Sequence, residues 1–387
     1  MGKIKILELC HFSQGICGVW NRVKEESVRL SDLGYEVCVF SSNAIKGSQD
    51  IAKPTDEVDG VKIKRFPYVK LGGESFMNWN FINEGIDYAP DVIIAHVYRH
   101  IHTTRALKLK KELAKAGKDC KVLLVTHAPF NEDNSERGLL SSIAVKLYDW
   151  TLGRNTINNF DKVIAISNWE LPYLSKIGLE NKRTVYLPNG IPPSFFKSNP
   201  KKGENNKILF LGRVSPIKNL ELVISALNKL DKKYFVEIVG PSEGGYKRNL
   251  LDLAKKECVA DRVIFSKPIY DIDEKISKMD SAAFFILPSK REGMPQSMVE
   301  AMARGRVCIG SDVEGISDLI KEGINGFTFK KNDLNSLITV LNHALNLPAS
   351  NIKSIGKSSI SFASKFNWNN IISKLDKLIK VELHTRR

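Results

Sequence analysis

Residues 184–212, "TVYLPNGIPPSFFKSNPKKGENNKILFLG", decide how this chain is built. A short β-branched run, "TVYLP" (184–188), gives way to a polar, proline-containing stretch over 190–206. A new apolar run, "KILFLG" (207–212), follows. Working back towards the N-terminus, runs of the same kind recur at 5–10, 36–40, 61–66, 91–96, 121–126 and 162–167, with helical patterns between most of them. Working forward, they recur at 234–240, 262–266, 282–288, 306–310 and 326–329. Apolar strands alternating with helices predict βαβ units and parallel sheets covered on both faces. A polar segment between two such series is where few contacts need cross, hence a domain boundary. The expected fold is α/β, with two doubly wound Rossmann-like domains facing each other across a cleft, assigned to residues 1–190 and 191–365. Ligands of such sheets sit beyond the carboxyl ends of the strands. The stretch 366–387 reads as a helix with Ile371, Leu375, Leu378 and Ile379 on one stripe.

Composition narrows the function. At 387 residues and 43% hydrophobic, the chain can bury two cores. The net charge of +15 favours anionic partners and is uneven, +4 over residues 1–190 and +11 over 191–387. No interleaved basic and aromatic stretch or recognisable module supports nucleic-acid binding. Six cysteines without C-x-x-C spacing read as reduced core thiols in a cytoplasmic protein. "MGKIKILELC" is too short and too charged for a signal peptide, and no apolar run approaches the roughly 20 residues needed to span a bilayer.

Three stretches carry chemistry. After the first strand, Gly15 and Gly18 precede a helical pattern, so amides near Gly18 can face an anion at a helix N-terminus. This is not G-x-G-x-x-G, and no acid follows the second strand to hold a ribose, which disfavours a nicotinamide dehydrogenase. In "LGRVSPIKNL" (211–220), Arg213 leaves a strand end and Lys218 stands where the next helix begins, a placement that suits a diphosphate. In "REGMPQSMVEAMARG" (291–305), Glu292 lies in the turn before a helix and Glu300 about one turn inside it. Amides around Gly293 and Met294 can donate to an anion or hydroxyl, and Glu300 can accept two hydrogen bonds from a vicinal diol such as ribose. Asp271 and Asp273 in "YDIDEK" open a helix, where acids are favoured, and are not read as a metal site.

Together, "LGRVSPIKN", "PSKREGMPQSMVEAMARG" and "SDVEGISDLIKEGINGF" resemble the retaining glycosyltransferases of family 4, which have the GT-B architecture. "FDKVIAISNW", "YLPNGIPPSFF" and "FNWNNIISKL" resemble that family's inter-domain stretch and its C-terminal helix, which crosses back to the first domain. The resemblance implies that the E-x7-E pair is Glu292, on donor-sugar hydroxyls together with Gly293 and Met294, and Glu300, on the nucleotide ribose. It implies that Gly18, Arg213 and Lys218 bind the donor diphosphate, and that His127 in "VTHAPF" lies near the donor sugar as a catalytic residue. The first turn departs from the family's Gly-Gly, reading Cys17–Gly18. The usual G-G-x-x-E reads Glu314–Gly315–Ile316–Ser317–Asp318, and Asn219 follows Lys218 in place of glycine.

The expected activity is therefore retaining transfer of a sugar from a UDP- or GDP-sugar to a hydroxyl of a glycan, lipid-linked or small-molecule acceptor. Cations and helix amides would stabilise the leaving diphosphate, with no metal and no cofactor. A nucleotide-sugar epimerase of the same architecture is the alternative. Residues 102–121 hold seven basic and two acidic side chains, which fits either a solvated outer helix packed on its sheet or contact with an anionic membrane surface on the cytoplasmic face. His96 ends a strand where relatives often have a histidine. His11, His100, His102, His343 and His384 read as structural or solvated.

Overall fold

The computed structural model describes residues 2–15, 17–70, 72–130 and 139–384. They form two compact units, Met1–Asn189 with Asn369–Arg387, and Gly190–Trp368. The first unit carries β1 (Lys5–Cys10), β2 (Glu36–Ser42), β3 (Thr55–Val58), β4 (Val61–Phe66), β5 (Tyr68–Lys70), β6 (Met77–Trp79), β7 (Val92–His96), β8 (Lys121–Val125), β9 (Lys162–Ala165) and β10 (Thr184–Tyr186). The second carries β11 (Glu204–Leu211), β12 (Phe235–Val239), β13 (Val263–Ser266), β14 (Ala282–Leu287), β15 (Val307–Ser311) and β16 (Gly326–Phe329).

The first unit's sheet runs β10-β9-β8-β7-β1-β2-β4-β3, parallel except for β3 against β4. Strands β1, β7 and β8 are buried nearly end to end because helices cover both faces. The strand order reverses between β1 and β7, which makes the crevice beyond their carboxyl ends the binding position of this fold.

The second unit's sheet runs β13-β12-β11-β14-β15-β16, all parallel, the 3-2-1-4-5-6 order of dinucleotide-binding folds. Its switch point lies between β11 and β14. Its core packs Phe210, Phe284, Phe285, Ile238 and Ile309 at zero exposure, each worth about 1.5–3 kcal/mol of hydrophobic stabilisation. Arg304, also fully buried, binds Asp280 at 2.9 and 2.7 Å and the carbonyls of Phe195 and Ser198 at 3.0 and 2.9 Å. That one side chain ties the polar segment after Gly190 to the helix Ile272–Asp280.

The helix Trp368–His384 leaves the second unit at its first residue. Within the first unit Asp376 accepts from the Tyr35 hydroxyl at 2.6 Å, and Glu382 lies 3.5 Å from Lys162.

All thirteen apolar runs named above are strands, most within two residues of the expected limits. The short strands β3, β5 and β6 were not expected. β3 is the mostly exposed antiparallel edge, and β5 and β6 are three-residue ribbons too short for a periodic signal.

Candidate active site

In the second unit, the expected phosphate and sugar residues lie on either side of the β11/β14 switch point. Arg213 follows β11, Lys218 ends a short 3-10 turn after it, and Glu292 follows β14. Lys218 Nζ lies 2.5 Å from Glu292 Oε1, and the Ser289 hydroxyl donates to the same oxygen at 2.6 Å. The Lys290 amide donates to the Ile217 carbonyl at 2.8 Å, which fastens the two strand exits together. Lys218 and Glu292 are mostly buried, at 17% and 11% side-chain exposure, so their attraction is little screened. Arg213 pairs with Glu243, both about half exposed, and such a pair is weak and easily exchanged.

Glu300 sits inside the helix Gln296–Ala303 and is buried, with Lys275 Nζ 2.6 Å from Oε1. Pro295 caps this helix without a side-chain hydrogen bond. Gly315 is needed where it stands, because a Cβ there would come within 2.4 Å of the Gly293 carbonyl and 2.5 Å of that of Glu292. The segment that departs from G-G-x-x-E thus packs directly beneath the Glu292 turn. Asp271 caps the helix Ile272–Asp280, accepting from the Glu274 amide at 2.8 Å.

Reasoning from sequence missed the partners Ser289, Glu243 and Lys275. Lys275 lies in the very stretch considered for a metal, and its own signal was a lysine near the start of a helix that follows a strand.

In the first unit, the helix Gly18–Asp32 begins after Cys17, which makes no side-chain cap, and the space around Gly18 where a Cβ would be is open. The turn is set one step earlier. Gly15 has φ +91°, and a Cβ there would meet the Lys46 carbonyl at 2.3 Å. His127 follows β8 with φ +59°, and Ala128 has φ +55°. At the exit of the neighbouring strand β7, Val97 and Arg99 also have positive φ, at 76° and 69°. Left-handed backbone costs a β-branched residue such as valine of order 1–3 kcal/mol, and such strain collects at functional sites.

Two clasps hold these loops. Glu170 accepts from the amides of Ala128, Ile166 and Ser167 at 2.9, 2.7 and 2.9 Å, and from the Thr126 hydroxyl. Arg99 binds Asp149 at 2.8 Å through Nε and the Pro129 carbonyl at 2.7 Å.

His127 is the end of a buried chain. Glu8 Oε2 lies 2.7 Å from His96 Nε2, and His96 Nδ1 lies 3.0 Å from His127 Nε2. Burial pushes the Glu8 carboxyl well up, lowers His96 to about 3 and pulls His127 well below the usual imidazole range. Both imidazoles are therefore neutral at physiological pH. A neutral His96 donates from one nitrogen and accepts at the other, so the proton on Glu8 dictates the tautomer of His127. With Glu8 ionised, His127 donates from Nε2 and keeps a lone pair on Nδ1. With Glu8 protonated, both rings reverse.

His11, His100 and His102, expected as separate structural or solvated residues, in fact gather beyond the ends of β1 and β7. Ring centroids of His11 stand 4.4 Å from His100 and 4.3 Å from His102. Five of the seven histidines thus collect beyond the carboxyl ends of β1, β7 and β8.

On the outer helix Ile101–Lys115, the basic residues of 102–121 are partly neutralised. Lys110 pairs with Asp161 and Lys118 with Asp91, both at 2.6 Å, and Lys115 pairs with Glu112 at 3.0 Å.

Comparison with known proteins agrees with this architecture. The family model "Glycosyl transferases group 1" matches residues 193–359, and "Glycosyltransferase Family 4" matches residues 16–195. An uncharacterized glycosyltransferase of Haemophilus influenzae is 27% identical over 337 residues, 86% of this chain and 87% of that one. Another, from Methanocaldococcus jannaschii, is 25% identical over 220 residues, 57% of this chain, and the match spans 59% of that relative's length. Among solved structures, sucrose-phosphate synthase from Thermosynechococcus elongatus aligns with a TM-score of 0.76 at 17% identity, covering 99% of this chain and all of that one. Anabaena HepE in complex with UDP and glucose aligns with a TM-score of 0.73 at 18% identity, covering 98% of this chain and 100% of that one. With two Rossmann-like units and two adjoining family models that together take in residues 16–359, the chain belongs to the family 4-type glycosyltransferases of GT-B fold.

Proposed function

We propose that this protein moves a sugar from a nucleoside diphosphate sugar to a hydroxyl of a glycan, lipid-linked or small-molecule acceptor, with retention of anomeric configuration. The observation that carries this reading is the Lys218–Glu292 pair beside Arg213 at the second unit's switch point. Lys218 and Arg213 are mobile cations for a diphosphate, and each now rests on a carboxylate that a phosphate oxygen would replace. When Lys218 turns to the diphosphate, Glu292 is released to accept hydrogen bonds from the donor sugar, with the Gly293 and Met294 amides beside it. Glu300, held by Lys275, accepts from the ribose hydroxyls.

In the reaction the bond from the anomeric carbon to the diphosphate oxygen breaks, and the acceptor oxygen bonds to the same face of that carbon. The acceptor proton passes to the departing phosphate oxygen. Arg213 and Lys218 offset the charge growing on that oxygen, so the chemistry requires no metal or cofactor. His127, its tautomer set through His96 by Glu8, orients the donor sugar.

Peripheral contact with a membrane on its cytoplasmic face belongs to the same proposal. Lys108 and Lys111 remain exposed on the basic helix, and no helix among the described residues is long and apolar enough to cross a membrane. Co-sedimentation with anionic vesicles at low salt, absent with neutral ones, is the expected result.

Function is tested by thermal stabilisation with a panel of UDP-, GDP- and ADP-sugars, then by transfer with the anomeric product read by NMR. Isomerised nucleotide sugar without acceptor would identify an epimerase. No stabilisation by any nucleotide would overturn the donor site.

A further inference from the structure

The crevice beyond β1 and β7 holds three imidazoles that the proposed transfer reaction does not use. His11 and His102 are buried, at 3% and 0% exposure, and His100 is half-buried. His11 Nε2, His100 Nδ1 and His102 Nδ1 are all buried and have no hydrogen-bond partner. One ligating atom from each ring falls within 4.8 Å of the others. An orphaned polar atom in a protein interior is costly, and three on neighbouring rings call for a shared partner.

The surroundings are those of a metal ligand set. His102 donates from Nε2 to the His96 carbonyl at 2.8 Å, which fixes its proton there and leaves the Nδ1 lone pair facing the cluster. Metal-bound histidines are oriented in this way, by a carbonyl on the far ring nitrogen. Trp79 stacks on the His102 ring, with centroids 5.7 Å apart and planes 27° apart. Lys46, the nearby cation, is paired with Glu74.

Two features oppose loading, the first being that the Glu74 backbone also interacts with the His11 ring. Trp79 Nε1 reaches His11 Nδ1 at 3.4 Å, a long contact that favours a proton on Nε2. Ligation through Nε2 moves that proton to Nδ1 and gives up this contact, a small loss against a metal–nitrogen bond.

We propose that His11, His100 and His102 form a binding site for a divalent first-row transition ion of the zinc class, held by three imidazole nitrogens with a fourth position open. Three nitrogens bound tetrahedrally at about 2.0–2.1 Å stand roughly 3.4 Å apart, so loading draws the rings together only modestly. Imidazole donors select Zn2+, Co2+, Ni2+ or Cu2+ over Mg2+ or Ca2+. All three histidines belong to the first unit. The ion would clamp the end of β1 to the start of the helix Ile101–Lys115. The half-buried His100 marks the side on which a water or substrate hydroxyl enters.

The test is calorimetry with Zn2+ and visible spectroscopy with Co2+ on full-length protein lacking any histidine tag. One ion per chain is expected, with the intense visible bands of four- or five-coordinate Co2+. His100→Ala, the least buried change, should weaken binding more than about tenfold, and His102→Ala should abolish the bands. His127→Ala should leave them intact. Absence of uptake by the wild-type protein overturns the site. So does uptake that survives His100→Ala unchanged, or that is lost with His127→Ala, which would put the ion on the His96–His127 pair.

Discussion

Replacing Glu292 with glutamine separates two roles that a simple loss-of-function variant would merge. In the structure Lys218 is held 2.5 Å from the Glu292 carboxylate, and the same oxygen accepts from Ser289. Glutamine keeps an acceptor for both donors, so folding stability should change by no more than about 1–2 kcal/mol. The negative charge disappears, and Lys218 no longer shares its charge with a carboxylate. A phosphate about 6 Å from that carboxylate would escape a repulsion of about 1–3 kcal/mol at an effective dielectric of 20–40. Free nucleoside diphosphate should therefore bind about 5- to 100-fold more tightly to Glu292→Gln than to the wild-type protein. Sugar transfer should fall, because the donor sugar loses its charged acceptor. Calorimetry with whichever of UDP, GDP or ADP stabilises the wild type, beside turnover with the matching sugar, measures both. Unchanged or weaker diphosphate binding would refute the picture of Lys218 resting on Glu292 until a phosphate arrives.

Glu8→Gln should lower kcat about 10- to 100-fold with little change in donor KM, since it acts through the His127 tautomer, and nitrogen-15 NMR of the imidazoles should show the changed protonation pattern. Glu237 is buried, and although burial opposes ionisation, hydrogen bonds from Lys207, Lys278 and Ser266 prevail and lower it to about 2. Because its folded value lies below the usual 4.5, its stabilisation is present above about pH 4.5 and is lost as pH falls towards 2, a window worth about 3 kcal/mol. Glu237→Gln should flatten the acid limb of a urea-denaturation series. Arg304→Ala leaves the buried Asp280 without its cation and should cost about 3–5 kcal/mol, read as a lower unfolding midpoint without any specific loss of nucleotide affinity at matched folded fraction.

The parallel strands were legible because burial on both faces makes them continuous apolar runs, such as "AAFFILP" over β14. The edge strand β3, reading Thr-Asp-Glu-Val, carries no such signal, because both rows of its side chains are largely exposed and its pairing depends on the neighbouring β4. Glu292, Glu300, Arg213 and Lys218 could be picked out because they follow strand ends or helix starts. What each rests against could not. The Lys218–Glu292 pair spans 74 positions and the Glu8–His96 pair 88, and only the sheet order brings them together. The histidine cluster was hidden for the same reason, its members lying just after β1 and at the start of the helix that follows β7, two strands that are far apart in sequence and neighbours in the sheet.

The helix Trp368–His384 has a consequence for biosynthesis. Since residues 369–384 pack with residues 2–189, the second unit is inserted within the first along the chain. During translation the second unit can close as soon as Trp368 clears the ribosome. The first must wait, with its Tyr35 and Lys162 contacts unmade, until the following residues emerge. The first unit is thus the last to be completed. A nascent chain stalled between Trp368 and Asp376 should present a finished second unit beside a first unit still open to chaperones and proteases.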